Sequence, residues 1–147
     1  ANPREASRPQ ISEPLESSPI PPKTKIITAE DNLVNAALVK RYLKKMGLQT
    51  VLVKNGAELL DQFKKECFDI VLTDCQMPEM DGYQATQEIR KTELLEGQPW
   101  IIALTAHSLE GDREKCLQSG MDDYISKPMK FDDLYQALER AKFPTRA

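Results

Sequence analysis

The chain of 147 residues lacks the apolar runs that a membrane-spanning helix requires, since none approaches about 18 consecutive apolar residues. It also lacks an excess of basic charge, because its formal net charge is -3 and its pI is about 5.3. That balance excludes a nucleic-acid-binding protein built on overall charge. The length excludes a multi-domain enzyme and predicts one domain with a short extension.

Cysteine and histidine are scarce. The three cysteines, Cys67, Cys75 and Cys116, are odd in number and lack metal-ligand spacing. We therefore expect reduced thiols and a cytoplasmic location. His107 is the one histidine, and no long amphipathic heptad pattern surrounds it, which disfavours a phosphorylated histidine on a kinase helix. No glycine-rich loop follows the first strand, which disfavours a nucleotide-binding enzyme.

Proline is concentrated at the start of the chain, where six of the ten prolines lie within residues 1–22. Only five of those 22 residues are hydrophobic, too few to offset the entropy of ordering them. We predict a flexible proline-rich linker over 1–22, a folded domain over 23–143 and a tail over 144–147. Because the chain begins at Ala1 without a signal peptide, we expect a fragment of a longer protein.

Short apolar runs alternate with amphipathic segments through the folded part. Most of the runs are uniformly apolar, which is typical of strands covered on both faces. This alternation predicts an α/β fold with a doubly wound, five-stranded parallel sheet and five helices. The strand-like runs lie at 26–27, 51–53, 70–72, 101–104 and 124–125, and the helix-like segments at 32–46, 57–66, 83–93, 109–119 and from 131 onward.

The segment 32–46 has the clearest helical pattern. One face carries Ala36, Val39, Leu43 and Met46, and Gly47 supplies a stop. The opposite face is basic, which most often marks a solvated surface and alternatively a docking surface for an acidic partner helix. The basic residues are Lys40, Arg41, Lys44 and Lys45.

Polar side chains stand where the predicted strands end: Glu30 and Asp31, Asp74, Thr105, and Lys127. Each alone has an ordinary explanation, such as a helix cap, a turn or a solvated lysine. The carboxyl ends of strands converge in a doubly wound sheet, and ligands bind there. The sequence therefore predicts one site with three carboxylates, a hydroxyl and an ammonium.

Three neighbouring carboxylates repel one another, so either a pKa rises or a cation enters. Oxygen ligands of this kind suit Mg²⁺, which keeps several waters and accepts phosphate oxygens. Lys127 can neutralise a phosphoryl oxygen, and Thr105 can donate to another. A carboxylate in this setting is a nucleophile toward phosphorus, and the expected product is an aspartyl phosphate.

Four motifs resemble the receiver domain of two-component response regulators, and most of all the C-terminal receiver of a hybrid sensor histidine kinase. The resemblance implies a flavodoxin-like, CheY-like three-layer sandwich with strand order 2-1-3-4-5. Thr28 and Thr73 depart from the family, which usually has more hydrophobic residues there. The motifs are Ala-Glu-Asp-Asn at 29–32, Asp-Ile-Val-Leu-Thr-Asp-Cys-Gln-Met-Pro-Glu-Met-Asp-Gly at 69–82, Ala-Leu-Thr-Ala-His at 103–107 and Gly-Met-Asp-Asp-Tyr-Ile-Ser-Lys-Pro at 120–128.

The resemblance also implies a role for each matching residue. Asp74 is the expected phosphoacceptor, and Asp74, Lys127 and Thr105 are the expected catalytic residues. The other implied roles are coordination of Mg²⁺ by Glu30, Asp31, Asp74 and the backbone carbonyl of Gln76, conformational switching by Thr105 and Tyr124, and a cis peptide bond at Pro128.

The implied partner is a histidine-phosphotransfer domain or the phosphohistidine domain of a kinase, with no nucleic acid and no membrane contact by this segment. The expected context is the cytoplasmic portion of a membrane-anchored histidine kinase, although this chain contains no kinase core; the isolated domain is expected to be a monomer. The alternatives are a free-standing single-domain regulator and a pseudo-receiver that binds a partner without phosphorylation. A phosphatase is disfavoured, because Gln76 stands where such enzymes commonly need an aspartate.

Five further residues are expected to pack in the domain or to border the pocket. We expect Cys75 to point away from the site as a packed side chain rather than a nucleophile. Trp100 is expected to begin the fourth strand. Methionines are expected to pack or to border the pocket rather than bind metal; these are Met77, Met80 and Met129.

Overall fold

The computed structural model describes residues 18–92, 97–106 and 110–142, and in the last range the side chains from residue 113 onward. The predicted tail, His107 and most of the predicted linker lie outside the described residues. Within them, five strands alternate with five helices, as predicted. The strands are β1 (Ile26–Ala29), β2 (Thr50–Val53), β3 (Ile70–Asp74), β4 (Trp100–Thr105) and β5 (Asp123–Ser126).

The helices differ from the predicted segments by one or two residues at their ends, which is within the ordinary uncertainty of helix boundaries. Among the described residues, no helix combines the length and the apolar character that crossing a bilayer demands. The helices are α1 (Leu33–Lys45), α2 (Gly56–Lys65), α3 (Gly82–Lys91), α4 (Glu110–Gln118) and α5 (Phe131–Arg140).

The five strands form one parallel sheet in the order β2-β1-β3-β4-β5, which confirms the predicted fold class. Helices α1 and α5 pack on one face, and α2, α3 and α4 pack on the other. All strands therefore present their carboxyl ends at one edge of the sheet, where the predicted site residues lie.

Neighbouring residues along a strand enter opposite cores, because side chains alternate across a sheet. Ile26 and Ile70 lie in the core beneath α1 and α5, whereas Ile27 and Val71 lie in the core beneath α2, α3 and α4. All four are buried. The uniformly apolar runs are thus explained by cover on both faces. The edge strand β2 is less covered, and its Leu52 is exposed.

The two capping residues of helix α1, Asn32 and Met46, are the first and last residues of the predicted segment 32–46. The side chain of Asn32 caps the helix by accepting from the backbone N–H groups of Val34 (2.9 Å) and Asn35 (3.1 Å). Gly47 follows the helix with φ of 78°, a conformation that glycine adopts without strain. The predicted apolar face is buried throughout, at Ala36, Val39, Leu43 and Met46.

The packed part of the domain begins a few residues before the predicted boundary at residue 23. Ile20 lies within the predicted linker, but its side chain is buried in the core beneath α1 and α5. A turn supports this segment, because the hydroxyl of Thr24 donates to the carbonyl of Pro21 over 2.6 Å. The proline-rich composition concealed Ile20, since one apolar residue among prolines gives no periodic signal.

Arg90 of α3 holds together the edge of the sheet at which β4 and β5 begin. Its guanidinium donates to the carbonyls of Gly120 (2.8 Å) and Pro99 (2.9 Å) and to Oδ2 of Asp122 (2.7 Å). The same Asp122 oxygen accepts from the backbone N–H of Ile101 over 2.8 Å. A charged pair thus satisfies the backbone groups at this edge, which is opposite the predicted site.

Candidate functional site

The site forms because the carboxyl ends of three strands place two acidic residues and a lysine side by side. Glu30 follows β1, Asp74 is the last residue of β3, and Lys127 follows β5. Nζ of Lys127 lies 2.9 Å from Oδ2 of Asp74 and 3.0 Å from Oε1 of Glu30. The structure thus brings together residues that are up to 97 positions apart in the sequence, as the convergence of strand ends predicts.

Asp31 completes an acidic cluster. One carboxylate oxygen from each of Glu30, Asp31 and Asp74 lies within 4.8 Å of the other two. Glu30 and Asp74 are buried, and Asp31 is exposed. The cluster is therefore open to solvent on the side of Asp31 and closed on the side of Glu30.

The pKa of Glu30 is raised to about 7 from its ordinary 4.5. Burial is the largest cause, and the neighbouring Asp74 adds to it, while Lys127 and the N–H of Asn32 act in the opposite direction. The pKa of Lys127 is raised by its contacts with Asp74 and Glu30, although burial opposes that rise. One lysine thus compensates two buried acids only in part.

Oε1 of Glu30 is the least satisfied oxygen of the site. It is buried, and within the described ranges it has the Lys127 ammonium at 3.0 Å but no well-oriented hydrogen bond. Oε2 of the same side chain accepts from the backbone N–H of Asn32 over 3.1 Å. A buried carboxylate oxygen with spare acceptor capacity is a natural ligand for a hard cation.

Backbone contacts fix the carboxylate of Asp74. Oδ1 accepts from the N–H of Gln76 over 3.1 Å, while Oδ2 faces Lys127. Helix α3 begins so close to this strand end that a Cβ at Gly82 would clash with the carbonyl oxygen of Asp74. Glycine at 82 therefore lets α3 pack directly behind Asp74.

The other predicted site residues surround this centre. Thr105 is buried at the end of β4, and its carbonyl accepts from the N–H of Lys127 over 2.7 Å. Tyr124 is half-buried on β5, with the guanidinium of Arg113 6.0 Å from its ring centroid. The peptide bond between Lys127 and Pro128 is cis, as the resemblance implies.

The residues with predicted packing roles lie as follows. Cys75 is buried in the core beneath α2, α3 and α4, and Met77 and Met80 pack against that core. Met129 borders a cavity of about 40 Å³ that Glu30 and Lys127 also line. Trp100 begins β4, and His107 lies outside the described residues.

Sequence reasoning missed two exposed apolar residues beside the site. Leu33 and Val34 open α1, and they are 76% and 77% exposed. The signal was available, because both lie off the apolar stripe of Ala36, Val39 and Leu43 and follow the acidic pair Glu30-Asp31 after a single residue. Because solvent surrounds the side chains of Leu33 and Val34, neither contributes to a core of the domain.

A doubly wound parallel sheet with an acidic cluster and a lysine at its carboxyl edge defines a class of phosphoryl-binding signalling domain. The chain belongs to the response regulator receiver domain family, whose family pattern matches residues 26–139. Its curated relatives include hybrid histidine kinases, and their receiver domains are its homologues.

Two curated relatives illustrate the similarity. Over 132 residues the chain is 43% identical to hybrid signal transduction histidine kinase H of Dictyostelium discoideum, covering 87% of this chain and 10% of that protein. Over 135 residues it is 42% identical to sensor protein GacS of Pseudomonas syringae pv. syringae, covering 90% of this chain and 14% of that protein. The chain thus spans only a small part of the length of these relatives.

Solved structures show the same fold. The receiver domain of sensor histidine kinase PA1611 from Pseudomonas aeruginosa, with magnesium in its active-site cleft, is 42% identical with a TM-score of 0.72, and the match covers 80% of this chain and 95% of that one. A co-crystal structure from Saccharomyces cerevisiae contains the receiver domain of Ssk1 and the histidine phosphotransfer protein Ypd1. It matches this chain at 29% identity with a TM-score of 0.73, and the match covers 80% of this chain and 87% of that one.

Proposed function

We propose that this receiver domain accepts a phosphoryl group on Asp74 from a phosphohistidine of a partner protein, as one step of a His–Asp phosphorelay. The observation that carries the proposal is the ammonium of Lys127, which lies within 3.0 Å of both Asp74 and Glu30. The ammonium can neutralise an oxygen of an incoming phosphoryl group, and a cation held by the three acids would neutralise more of the charge on that group.

In the proposed step, a carboxylate oxygen of Asp74 attacks the phosphorus atom of the phosphohistidine. The phosphorus–nitrogen bond breaks, and its electron pair returns to the imidazole nitrogen of the partner. Lys127 neutralises an oxygen of the transferred group, and Thr105 donates to another. Such transfer depends mainly on alignment and on charge neutralisation, both of which this site offers.

The donor set fits Mg²⁺. Hard oxygen ligands with a net negative charge are what this ion prefers, and Oε1 of Glu30 has acceptor capacity to spare. The ligands that we propose are Glu30, Asp31, Asp74 and the backbone carbonyl of Gln76. When bound, the ion neutralises charge on the oxygens of the phosphoryl group. The related receiver of PA1611 holds magnesium in its cleft.

We propose that Thr105 and Tyr124 report the phosphorylation of Asp74. Both residues lie on neighbouring strands, where Ala103 of β4 pairs with Tyr124 of β5 and Thr105 pairs with Ser126. A phosphoryl group can shift the population of two conformations only if it contacts them differently. Thr105 makes that difference when its hydroxyl turns toward the phosphoryl oxygens, and Tyr124 then rotates inward.

The experiment is transfer of labelled phosphate from a phosphorylated histidine-phosphotransfer protein to this chain. We expect labelling of the parent chain in Mg²⁺ and none of Asp74→Asn. The matched control is Asp61→Asn, which removes an exposed carboxylate on α2 and leaves labelling unchanged. Labelling of Asp74→Asn at the parent level would overturn the proposal, and a pseudo-receiver would label in neither form.

We propose that the partner docks beside the site, on the exposed start of α1. Leu33 and Val34 offer the partner an apolar contact near Asp31, which lies in the same acidic cluster as Asp74. A partner docked there holds its phosphohistidine close to Asp74. The basic face farther along the helix complements an acidic partner surface. Support for this kind of partner comes from the related Ssk1 receiver, which was crystallised with a histidine phosphotransfer protein.

Replacing both apolar residues, as in Leu33→Ser with Val34→Ser, tests the docking surface. We expect transfer from the phosphorylated protein to fall on the order of tenfold, since exposed apolar anchors carry much of an interface's affinity. Labelling by phosphoramidate, a small donor with the same phosphorus–nitrogen bond, stays unchanged. The control is Leu117→Ser on α4, another exposed leucine. Equal loss in both variants would refute docking on α1.

We further propose that the chain is the receiver part of a hybrid histidine kinase, in the cytoplasmic portion of a membrane-anchored protein. Relatives of that type, which the chain matches over a small share of their length, support this placement. In this proposal residues 1–22 connect the domain to the rest, although Ile20 already packs on it, and 23–143 form the receiver before a tail at 144–147. The isolated domain is proposed to be a monomer.

A further inference from the structure

Two cysteines meet in the core beside the proposed phosphoacceptor. Sγ of Cys75 lies 3.9 Å from Sγ of Cys116, and both side chains are buried. All three cysteines of the chain are reduced in this structure. The proposed transfer chemistry uses neither thiol of this pair, so their contact needs an account of its own.

The contact joins two elements that are otherwise loosely tied. Cys75 directly follows Asp74 at the end of β3, and Cys116 lies on α4, 41 residues later. Over residues 113–118 of α4, Cys116 is the one buried side chain. In that range the other contacts are exposed ones, in which Arg113 and Lys115 approach the rings of Tyr124 and Tyr83. A helix with so few buried contacts opens locally at low cost.

The packing of α4 on the sheet shields both sulfurs from a dissolved oxidant, because both side chains are buried. Tyr83 of α3 stands beside the pair, and Nζ of Lys115 lies 4.5 Å from the centroid of its ring. We therefore expect oxidation to be slow while α4 is docked and faster when the helix lifts.

We propose that Cys75 and Cys116 are a redox modification site, at which a hydroperoxide converts the pair into an intramolecular disulfide that fastens α4 to the end of β3. The sulfurs are in contact, so no large rearrangement is needed to pair them once an oxidant gains access.

The reaction balances with one hydroperoxide. One thiolate attacks a peroxide oxygen and becomes a sulfenic acid, and with hydrogen peroxide the first water is released. The second thiolate attacks that sulfur, the sulfur–sulfur bond forms, and the hydroxyl leaves as a second water after protonation. Two thiols lose two protons and two electrons in total, and hydrogen peroxide takes up both and is reduced to two waters.

The experiment treats the native chain with hydrogen peroxide and measures its intact mass and its peptide map without reductant. We expect a loss of two hydrogens, with Cys75 and Cys116 in one linked peptide pair, and recovery of the original mass with a reductant. The same product should form in Cys67→Ala and in Asp74→Asn. The second variant separates this proposal from the phosphoacceptor proposal, because disulfide formation needs no chemistry at Asp74.

Cys67 provides the matched comparison, since it precedes β3 whereas Cys75 follows it. Strand β3, with five residues, lies between them and spans about 16 Å at the rise of a β-strand. Neither member of the pair can therefore bond Cys67 in the native fold. After mild oxidation, the intact masses of Cys75→Ala and Cys116→Ala should show no loss of two hydrogens. A native chain with no linked pair, or with a disulfide through Cys67, would overturn the proposal.

Hydrogen exchange supplies a second readout that does not depend on any variant. In the oxidised chain the amides of α4 should exchange at least about tenfold more slowly, a factor at the low end of the stabilisation that a disulfide contributes. Unchanged exchange in a chain whose disulfide is verified by mass would contradict the claim that the bond fastens α4.

Discussion

The two edges of the sheet hold acidic side chains in opposite electrostatic settings. Where strands begin, Asp122 accepts from both the Arg90 guanidinium and the N–H of Ile101, and Asp69 accepts from the N–H of Lys25. Where strands end, Glu30, Asp31 and Asp74 lie together, and Lys127 contacts two of them. The first edge matches acids with donors, while the second leaves a surplus of negative charge.

This difference separates a stabilising use of charge from a functional one. Hydrogen-bonded and paired acids hold elements in register, and their loss exposes unsatisfied backbone groups. Clustered acids with one cation oppose folding through desolvation and mutual repulsion, so they are retained for what they bind. The comparison therefore predicts that like substitutions at the two edges have effects of opposite sign.

The largest expected effect is the pH dependence that Glu30 gives to stability in the absence of Mg²⁺. Its pKa is about 7 in the folded chain against an ordinary 4.5. The folded state therefore binds more protons at Glu30 in that window, so the contribution of Glu30 to stability is fully present below pH 4.5 and is lost as pH rises through 7. Relative to Glu30→Gln, the parent's free energy of unfolding should fall by about 3 kcal/mol across the window.

Chemical denaturation of both proteins at several pH values, with a chelator present, measures this difference. Saturating Mg²⁺ provides the control, because a bound cation competes with the proton and should flatten the curve. A parent protein that gains stability relative to Glu30→Gln between pH 4.5 and 7 would reverse the sign on which the comparison depends.

The next effect concerns the opposite edge. Asp122→Asn keeps the size of the side chain but removes its charge, so the ion pair with Arg90 is lost even where the amide oxygen still accepts a hydrogen bond. We expect the free energy of unfolding to fall by about 2 kcal/mol, the range for hydrogen bonds to charged groups. Urea denaturation at pH 7 measures it, and Asp132→Asn in the first turn of α5 is an exposed control.

The smallest effect is the matched substitution at the site. Asp74→Asn removes a like charge from beside Glu30, and Lys127 retains its contact with Glu30. Without Mg²⁺ we expect the variant to be more stable than the parent by about 1 kcal/mol at pH 7. A loss of stability as large as that of Asp122→Asn would show that the two edges use their acids in the same way.

The sequence predicted the fold because its strands are covered on both faces, so runs such as 70–72 and 101–104 carry an unmistakable apolar signal. It predicted the centre of the site for a topological reason, since residues at the carboxyl ends of parallel strands must meet. The sequence pointed to repulsion among the carboxylates as the cause of a raised pKa, whereas burial is the largest cause of the raised pKa of Glu30 and Asp74 only adds to it.

Other features depend on contacts that no local pattern encodes. The meeting of Cys75 with Cys116 requires the position of α4, a helix without a clear apolar stripe. The burial of Ile20 depends on a turn before β1 rather than on periodicity. The exposure of Leu33 and Val34 follows from the rotation of α1 about its axis, which the buried stripe could have revealed.

The most direct test of the central claim is the position of the phosphoryl group after treatment with phosphoramidate and Mg²⁺. Tryptic mapping should place one phosphoryl group, labile to hydroxylamine as an acyl phosphate is, in the peptide over residues 66–90 that contains Asp74. It should be absent from Asp74→Asn and from samples with chelator. A phosphoryl group on His107, or one that persists in Asp74→Asn, would contradict the account.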